Sequence, residues 1–153
     1  MAISSANGSN SLQVLVVEDE VLVRDDITQC LRDCGCTVFE ADTGEQAIAM
    51  CEAGVAVDVV FTDIGMPDMS GWELASEIRK RSGTVPLAIV SGWADAISCD
   101  ARQAIKADWV VPKPFDIAII AGIANEVAER KKNPIKATAE LANRDVRKLI
   151  GMA

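Results

Sequence analysis

Apolar strand-like segments and amphipathic helical segments alternate along this chain, and this alternation constrains the fold more than any other feature of the sequence. The strand-like segments are short runs of β-branched and aliphatic residues, typical of strands buried on both faces. They fall at residues 14–17, 37–39, 57–62, 86–90 and 109–111. Strands that alternate with helices through right-handed crossovers form a parallel sheet with helices on both faces. The sequence therefore predicts a doubly wound α/β domain with a five-stranded sheet.

Each predicted strand is followed by a segment in which apolar residues recur at helical spacing. These segments fall at residues 23–34, 47–51, 74–78, 94–105 and 117–128, and the fourth pattern is the weakest. Gly35 closes the first helix, and either Asp42 or Thr43 can cap the second, which is predicted to end near Gly54.

The composition argues against several classes of function. The 153 residues include no His and no Tyr, and the aromatic residues are three Trp and three Phe. Without His, the chain has no Ser-His-Asp triad, no His-based zinc site and no phosphohistidine of its own. So few aromatic residues on an acidic body argue against nucleic-acid binding. No apolar run approaches the roughly 20 residues of a membrane span, so no membrane association is expected.

Charge and composition divide the chain into three predicted regions. Residues 1–11 are small and polar without a basic n-region, so we interpret them as a flexible arm and not a signal peptide. Residues 12–130 are predicted to form the domain, and residues 1–130 hold nine basic and 21 acidic side chains. Residues 131–153 hold six basic and two acidic side chains and can form one more short helix. This extension either contacts an anionic group or is a solvated charged tail.

The number and spacing of the cysteines are typical of a protein whose thiols stay reduced. They are Cys30, Cys34, Cys36, Cys51 and Cys99. Their number is odd and they include no CxxC pair, and without a secretory signal the cytoplasm is the expected compartment. Cys30 and Cys34 share a helical face and are interpreted as small buried hydrophobic residues. A redox switch is the less favoured alternative, since no basic residue is placed to lower a thiol pKa.

Polar residues follow four of the predicted strands. Glu18 and Asp19 follow the first strand, Asp63 the third and Ser91 the fourth, and Lys113 follows the fifth after one proline. Because the carboxyl ends of parallel strands lie along one edge of the sheet, these side chains should meet in one crevice. Taken singly, each can be a helix cap or a turn residue, but their conjunction indicates a site.

The convergence of these groups favours a magnesium site for phosphoryl transfer. Three clustered carboxylates repel one another unless a cation lies among them, and hard oxygen ligands suit Mg²⁺. Carboxylate, ammonium and hydroxyl groups together can position a phosphoryl group and neutralise its charge. Asp63 is the best candidate for a nucleophile that forms an acyl phosphate, because it follows the central strand and precedes a glycine-containing loop.

Four motifs, in this order, resemble the receiver domain of two-component response regulators over approximately residues 12–130. They are residues 14–20, residues 62–71, Ser91-Gly92 and residues 111–115. The resemblance implies a flavodoxin-like fold with strand order 2-1-3-4-5. It implies that Asp63 accepts a phosphoryl group from the phosphohistidine of a sensor histidine kinase or a histidine phosphotransfer protein. It also implies that Asp19 and Asp63 ligate Mg²⁺ directly with the Gly65 carbonyl, while Glu18 assists through a metal-bound water.

The resemblance implies further roles at the ends of the last two strands. Lys113 would pair with the phosphoryl oxygens, Ser91 would turn inward to bind the phosphate, and the Lys113–Pro114 bond would be cis. One departure from the family is Val110, which stands where the family has its switch aromatic, with Trp109 beside it. Coupling from Ser91 to the surface of the last strands is therefore expected to run through other side chains.

A second departure concerns the path of the hydrolytic water. By the resemblance, Gly65 and Trp93 flank this path, so Gly65 leaves space while Trp93 covers it. The hypothesis that follows is slow autodephosphorylation. The alternative is that Trp93 is a partly exposed loop residue without this role.

The function predicted from sequence is a phosphorylation switch, and not an enzyme acting on a separate substrate. It would catalyse its own phosphorylation and autodephosphorylation and act as a monomer or a phosphorylation-dependent homodimer. Because no DNA-binding or catalytic module follows Arg130, its effect on an unidentified downstream protein is expected to come through protein contacts. A phosphorelay intermediate remains open. A dehalogenase-type phosphohydrolase is disfavoured because Gly65 replaces the expected second acid, and the complete site argues against an inert interaction module.

Overall fold

The computed structural model describes residues 11–66, 68–92 and 106–133, which form five strands and four helices. The strands are β1 (Gln13–Val17), β2 (Thr37–Ala41), β3 (Val59–Thr62), β4 (Leu87–Ser91) and β5 (Trp109–Pro112). The helices are α1 (Val21–Asp33), α2 (Gly44–Glu52), α3 (Gly71–Arg81) and α4 (Ile117–Lys132). All neighbouring strands are parallel and their order is β2-β1-β3-β4-β5. The predicted fold class is therefore confirmed.

The sheet separates two hydrophobic cores. Successive side chains of a strand point to opposite faces, so Val14 and Val16 pack against α1 and α4, whereas Leu15 and Val17 pack against α2 and α3. We call these the α1/α4 core and the α2/α3 core. Strands β1, β3 and β4 contribute buried residues to both cores, which explains why their sequences are apolar throughout.

Side chains at the ends of the helices define where three of the helices begin. Thr43 caps α2 by accepting a hydrogen bond from the Gln46 amide, which resolves the choice between Asp42 and Thr43. Ser70 caps α3 and Asp116 caps α4 in the same way. Gly35 has a φ of +87° just beyond α1, as expected for a residue that ends a helix.

Several bounds differ from the prediction by one or two residues. Strand β2 extends to Ala41 and β4 to Ser91, while β3 begins at Val59. These differences arise because strand ends depend on pairing with a neighbour: Ala41 pairs with Val17, and Ser91 pairs with Pro112.

The prediction that Cys30 and Cys34 are both buried is wrong. Cys30 is half-buried against the α1/α4 core, and Cys34 is exposed because it is the C-cap of α1. Burial raises the pKa of the Cys30 thiol, which opposes a reactive thiolate. The predicted helix at 94–105 lies outside the described residues, as do Trp93 and Cys99. Residues 1–10 of the arm predicted at 1–11 and residues 134–153 of the extension predicted at 131–153 also lie outside them. Within the described part of the chain, no helix is both long and apolar enough to cross a bilayer.

Candidate phosphoacceptor site

Backbone hydrogen bonds place the predicted site residues at the carboxyl edge of the sheet. The Glu18 amide donates to the Ala41 carbonyl at 3.0 Å, the Asp63 amide to Val17 at 3.1 Å and the Lys113 amide to Ser91 at 3.0 Å. Each bond continues the strand pairing by one residue beyond the strand end. The backbones of Glu18, Asp63 and Lys113 are therefore fixed by the sheet and not by flexible loops.

The Lys113 ammonium joins the acidic residues into one cluster. It forms an ion pair with Glu18, lies 3.2 Å from Asp63 Oδ2 and lies 3.8 Å from Glu20 Oε1. The sequence separation between Lys113 and Glu18 is 95 residues, so only the fold brings them together. The Lys113–Pro114 peptide bond is cis, as predicted.

Glu18 and Lys113 form an ion pair, and the pKa values of both groups lie above their usual values. Glu18 is only 2% exposed, and burial, assisted by the charge of Asp63, raises its pKa to about 7 despite the hydrogen bond from Lys113. Burial by itself would lower the pKa of Lys113, but the hydrogen bond from its ammonium to Glu18 and the two carboxylate charges raise it. The ammonium is therefore the positive group that balances the buried carboxylates.

The Asp63 carboxylate has two different oxygens. Oδ1 accepts hydrogen bonds from the backbone amides of Ile64 at 2.7 Å and Gly65 at 3.4 Å, while Oδ2 faces the Lys113 ammonium. The residue is 8% exposed. The side chain is thus held from both sides in one orientation, with little contact with solvent.

Gly71 allows α3 to begin against the backbone of the acceptor residue. A Cβ at Gly71 would lie 2.2 Å from the Asp63 carbonyl oxygen and 2.7 Å from Ile64 Cα. The Gly71 amide donates to the Ile64 carbonyl at 2.8 Å. A residue without a side chain is therefore required for this approach.

A group of three carboxylates is suited to a hard divalent cation. Glu18, Glu20 and Asp63 each place a carboxylate oxygen within 4.8 Å of the others. Asp19, predicted as a direct ligand, does not belong to this group in the described structure, and its amide donates to Glu18 Oε2 at 3.1 Å. Glu20 had no predicted role, although it lies two residues after Glu18 in the same acidic run. These oxygen donors fit Mg²⁺.

The predicted Ser91 and Gly65 lie at the same edge of the sheet. Ser91 is fully buried at the end of β4 and pairs with Pro112 beside Lys113. Gly65 is exposed in the loop that follows Asp63, and a Cβ built there would have no heavy atom within 4 Å outside Gly65 and its two chain neighbours. The fold thus brings Asp63, Lys113 and Ser91 to one crevice, with open space beside Gly65.

Comparison with known proteins identifies the family of this chain. The sequence model of the response regulator receiver domain matches residues 14–125. The chain belongs to this family. The resemblance drawn from its four motifs is therefore confirmed.

Relatives of this receiver domain occur inside longer proteins. It is 36% identical over 124 residues to the sensor kinase CckA of Brucella abortus, covering 80% of this chain and 13% of that protein. It is 33% identical over 117 residues to the transcriptional regulatory protein FixJ of Azorhizobium caulinodans, covering 74% of this chain and 54% of that protein. The chain spans less than two thirds of either relative.

Solved receiver structures share the fold. The response regulator TrrA of Thermotoga maritima, in complex with Mg²⁺ and BeF, has a TM-score of 0.68 and 29% identity over 76% of this chain and 98% of that one. The chemotaxis response regulator CheY4 of Vibrio cholerae has a TM-score of 0.70 at 24% identity, covering 76% of this chain and 98% of that one. The latter similarity concerns the fold alone.

Trp109 and Val110 are the first two residues of β5. Val110 is half-buried and packs against the α2/α3 core. Trp109 packs against the α1/α4 core, and the Arg130 guanidinium lies 5.1 Å from its ring centre. The two residues therefore contact opposite faces of the sheet, and Trp109 is tied to α4 by a cation–π contact.

Proposed function

We propose that this receiver domain is a phosphorylation-dependent signalling switch in which Asp63 accepts a phosphoryl group from the phosphohistidine of a partner. The partner is a sensor histidine kinase or a histidine phosphotransfer protein. The observation that carries the proposal is the buried Asp63 carboxylate, 8% exposed at the end of β3, with the Lys113 ammonium 3.2 Å from Oδ2. The family match supports the same conclusion.

The two Asp63 oxygens suggest which of them attacks. Oδ1 is held by the amides of Ile64 and Gly65, whereas Oδ2 faces Lys113 and the crevice. We assign Oδ2 as the nucleophile: a bond forms between Oδ2 and phosphorus, and the bond from phosphorus to the donor imidazole nitrogen breaks. The electron pair of that bond stays on the imidazole. The product on this chain is an acyl phosphate.

Lys113 and Ser91 are proposed to hold the transferred group. The Lys113 ammonium already lies at the acceptor oxygen, so it can neutralise charge on the phosphoryl oxygens as transfer proceeds. The Ser91 hydroxyl would turn inward and donate a hydrogen bond to another of these oxygens. Since Ser91 pairs with Pro112 next to Lys113, movement at either residue would reach β4 and β5 together. This is how the modified site would change a protein-contact surface.

The acidic residues are proposed to hold Mg²⁺. Asp19, Asp63 and the Gly65 carbonyl are the predicted direct ligands, with Glu18 acting through water, and the observed group adds Glu20 to Glu18 and Asp63. When bound, Mg²⁺ would neutralise negative charge between the carboxylates and the phosphoryl group. The Mg²⁺-bound structure of TrrA supports this assignment.

The phosphoryl group is proposed to leave by hydrolysis or by onward transfer. In autodephosphorylation, water attacks phosphorus and the bond to Asp63 breaks, which restores the carboxylate and releases inorganic phosphate. Slow hydrolysis through covering by Trp93 remains a hypothesis. A phosphorelay intermediate is the alternative to a terminal switch. In that role the next acceptor is a histidine outside these 153 residues, which include none.

The proposal also covers the compartment, the regions of the chain and the partners of the switch. We expect a cytoplasmic receiver formed by residues 12–130, with 1–11 as an arm and 131–153 as a basic extension. Its downstream contact would be a protein that distinguishes the two phosphorylation states, and it would act as a monomer or as a phosphorylation-dependent homodimer.

The test is incubation with Mg²⁺ and a small acyl-phosphate donor, followed by intact mass measurement. We expect one added phosphoryl group in the natural chain and in Asp58→Asn, and none in Asp63→Asn. Asp58 is a matched control because it precedes the same strand at its opposite end, where it binds the Gln13 amide and Lys131. Absence of the added group would favour an inert module, and release of phosphate from a separate phosphomonoester substrate would favour a phosphohydrolase.

A further inference from the structure

The loop that follows Asp63 is attached to the beginning of α2 through Asp68. Its carboxylate oxygens accept two backbone hydrogen bonds, Oδ1 from the Gly44 amide at 3.1 Å and Oδ2 from the Glu45 amide at 2.9 Å. These are the first two amides of the helix, which have no partner within it. The hydrogen bonds, that from Glu45 foremost, hold the pKa of Asp68 below its usual value. A charged carboxylate therefore binds the positive end of α2 from outside the helix.

The helix has a second cap of its own. Thr43 Oγ1 accepts a hydrogen bond from the Gln46 amide at 3.1 Å. Two side chains thus cap the beginning of α2. Thr43 directly precedes the helix, whereas Asp68 is 24 residues away from Gly44 in the sequence. Because each side chain binds different amides, the two caps can be removed separately. Of these two caps, only Asp68 joins α2 to the loop that follows Asp63.

Packing strengthens the attachment. A Cβ at Gly44 would lie 2.2 Å from Met69 Cγ and 2.6 Å from its sulfur, so Met69 lies directly against the helix backbone. Asp68 and Met69 together seat the loop on α2 by hydrogen bonds and by contact.

The other side of the loop is held at α3. The Ile64 carbonyl accepts hydrogen bonds from the amides of Gly71 at 2.8 Å and Met66 at 3.2 Å. Gly65 lies in the loop between Ile64 and Asp68, and its amide makes the longer of the two hydrogen bonds to Asp63 Oδ1. The Gly65 position therefore depends on attachment at both sides: the α3 contact through Gly71 and the α2 contact through Asp68.

We propose that Asp68 is a positioning residue for phosphoryl transfer to Asp63. By attaching the loop to α2, it holds the backbone at Gly65 and thereby the orientation of the Asp63 carboxylate. Asp68 is not a member of the carboxylate group at Glu18, Glu20 and Asp63, so it acts through the loop. This inference rests on the proposed function of Asp63, but its structural part can be measured without phosphorylation.

The first measurement is amide hydrogen exchange by NMR in metal-free protein. Asp68→Ala should accelerate exchange at Gly44, Glu45 and Gly65, whereas Thr43→Ala should accelerate it at Gln46 and leave Gly65 unchanged. Asp68→Asn keeps one acceptor oxygen, so exchange at Gly65 should lie between the natural chain and Asp68→Ala. Asp68→Asn also carries the test if Asp68→Ala does not fold. Unchanged exchange at Gly65 in the folded Asp68 variants would overturn the proposal.

The second measurement is the rate of phosphorylation by a small acyl-phosphate donor at saturating Mg²⁺. Asp68→Ala should be slower by about 3- to 10-fold, since small misplacement of reacting groups is costly. Asp68→Asn should recover part of the rate, and Thr43→Ala should stay within about twofold of the natural chain. Equal slowing in the Thr43 and Asp68 variants would reduce Asp68 to a helix cap. If the natural chain takes up no phosphoryl group, the function proposed for Asp63 is overturned. The exchange measurement is independent of that result, because it tests only the attachment of the loop.

Discussion

Lys113 lies among carboxylates that repel one another. Glu18 and Asp63 are both nearly buried, and the Lys113 ammonium contacts both of them. Removing one member of a buried ion pair leaves the remaining charge without compensation. The same ammonium is proposed to bind the phosphoryl oxygens, so one side chain serves both stability and transfer.

Lys113→Met should therefore destabilise the metal-free protein by about 2–3 kcal/mol at pH 8, measured by urea unfolding. The loss should shrink at lower pH, because Glu18 then takes up a proton and its charge disappears. Lys131→Met is the control, since Lys131 pairs with Asp58 at 3.1 Å on a more exposed surface and its removal should cost less than about 1 kcal/mol. Equal losses in the two variants would contradict a special role for the buried pair.

Glu18 predicts a particular dependence of stability on pH. Its pKa rises from 4.5 to about 7 on folding, so between these values the folded chain binds more protons than the unfolded chain. The contribution of Glu18 to the free energy of unfolding therefore decreases as pH rises through this interval. The Glu18→Gln variant lacks this decrease. Its free energy of unfolding, relative to that of the natural chain, should therefore increase between pH 4.5 and 7 by on the order of 1–3 kcal/mol. Urea unfolding in a chelator at several pH values measures this, and a constant difference would refute it.

The elements next to the site are joined by close backbone contacts that tolerate little change. Gly71→Ala would place a Cβ against the Asp63 carbonyl and Ile64 Cα, both backbone atoms that cannot rotate away. We expect a loss of about 2–4 kcal/mol and a lower phosphorylation rate. Gly122→Ala in α4 is the matched control: its Cβ meets nothing within 4 Å, so helix propensity should make it neutral or stabilising by up to about 1 kcal/mol. Thermal unfolding compares the two, and similar behaviour would contradict the steric argument.

The strands and their edge were predictable from the sequence because they depend on local pattern. Continuous apolar runs marked the strands, and a parallel sheet necessarily brings Asp63, Ser91 and Lys113 to one edge. The roles of Glu20 and Asp68 were not predictable in the same way. Which of several adjacent carboxylates faces the cluster depends on side-chain orientation, and the attachment of Asp68 to Gly44 depends on packing between a loop and the beginning of α2. Neither has a periodic signal in the sequence.

At the scale of the whole molecule, the two cores are joined by the strands they share. Neighbouring residues of β1 enter opposite cores, as Leu15 and Val16 do. Loss of packing on one face therefore moves the backbone that supports the other face. This arrangement favours a single cooperative unfolding transition. Because the site around Asp63 lies at the end of the shared strands, packing in both cores stabilises it.

Tryptophans on opposite faces allow this cooperativity to be tested. Trp109 packs against the α1/α4 core and Trp72 against the α2/α3 core. In a Trp93→Phe background, each variant that retains one of these two residues should have the same urea midpoint by fluorescence as by far-UV circular dichroism. Leu15→Ala, a deletion in the α2/α3 core, should lower the stability reported by Trp109 across the sheet by about 2–5 kcal/mol. Leu22→Ala, at a position 80% exposed, should change it by less than about 0.5 kcal/mol. A fluorescence midpoint that differs from the circular dichroism midpoint of the same variant would show that the two faces unfold separately, and the acceptor site would then depend on one core alone.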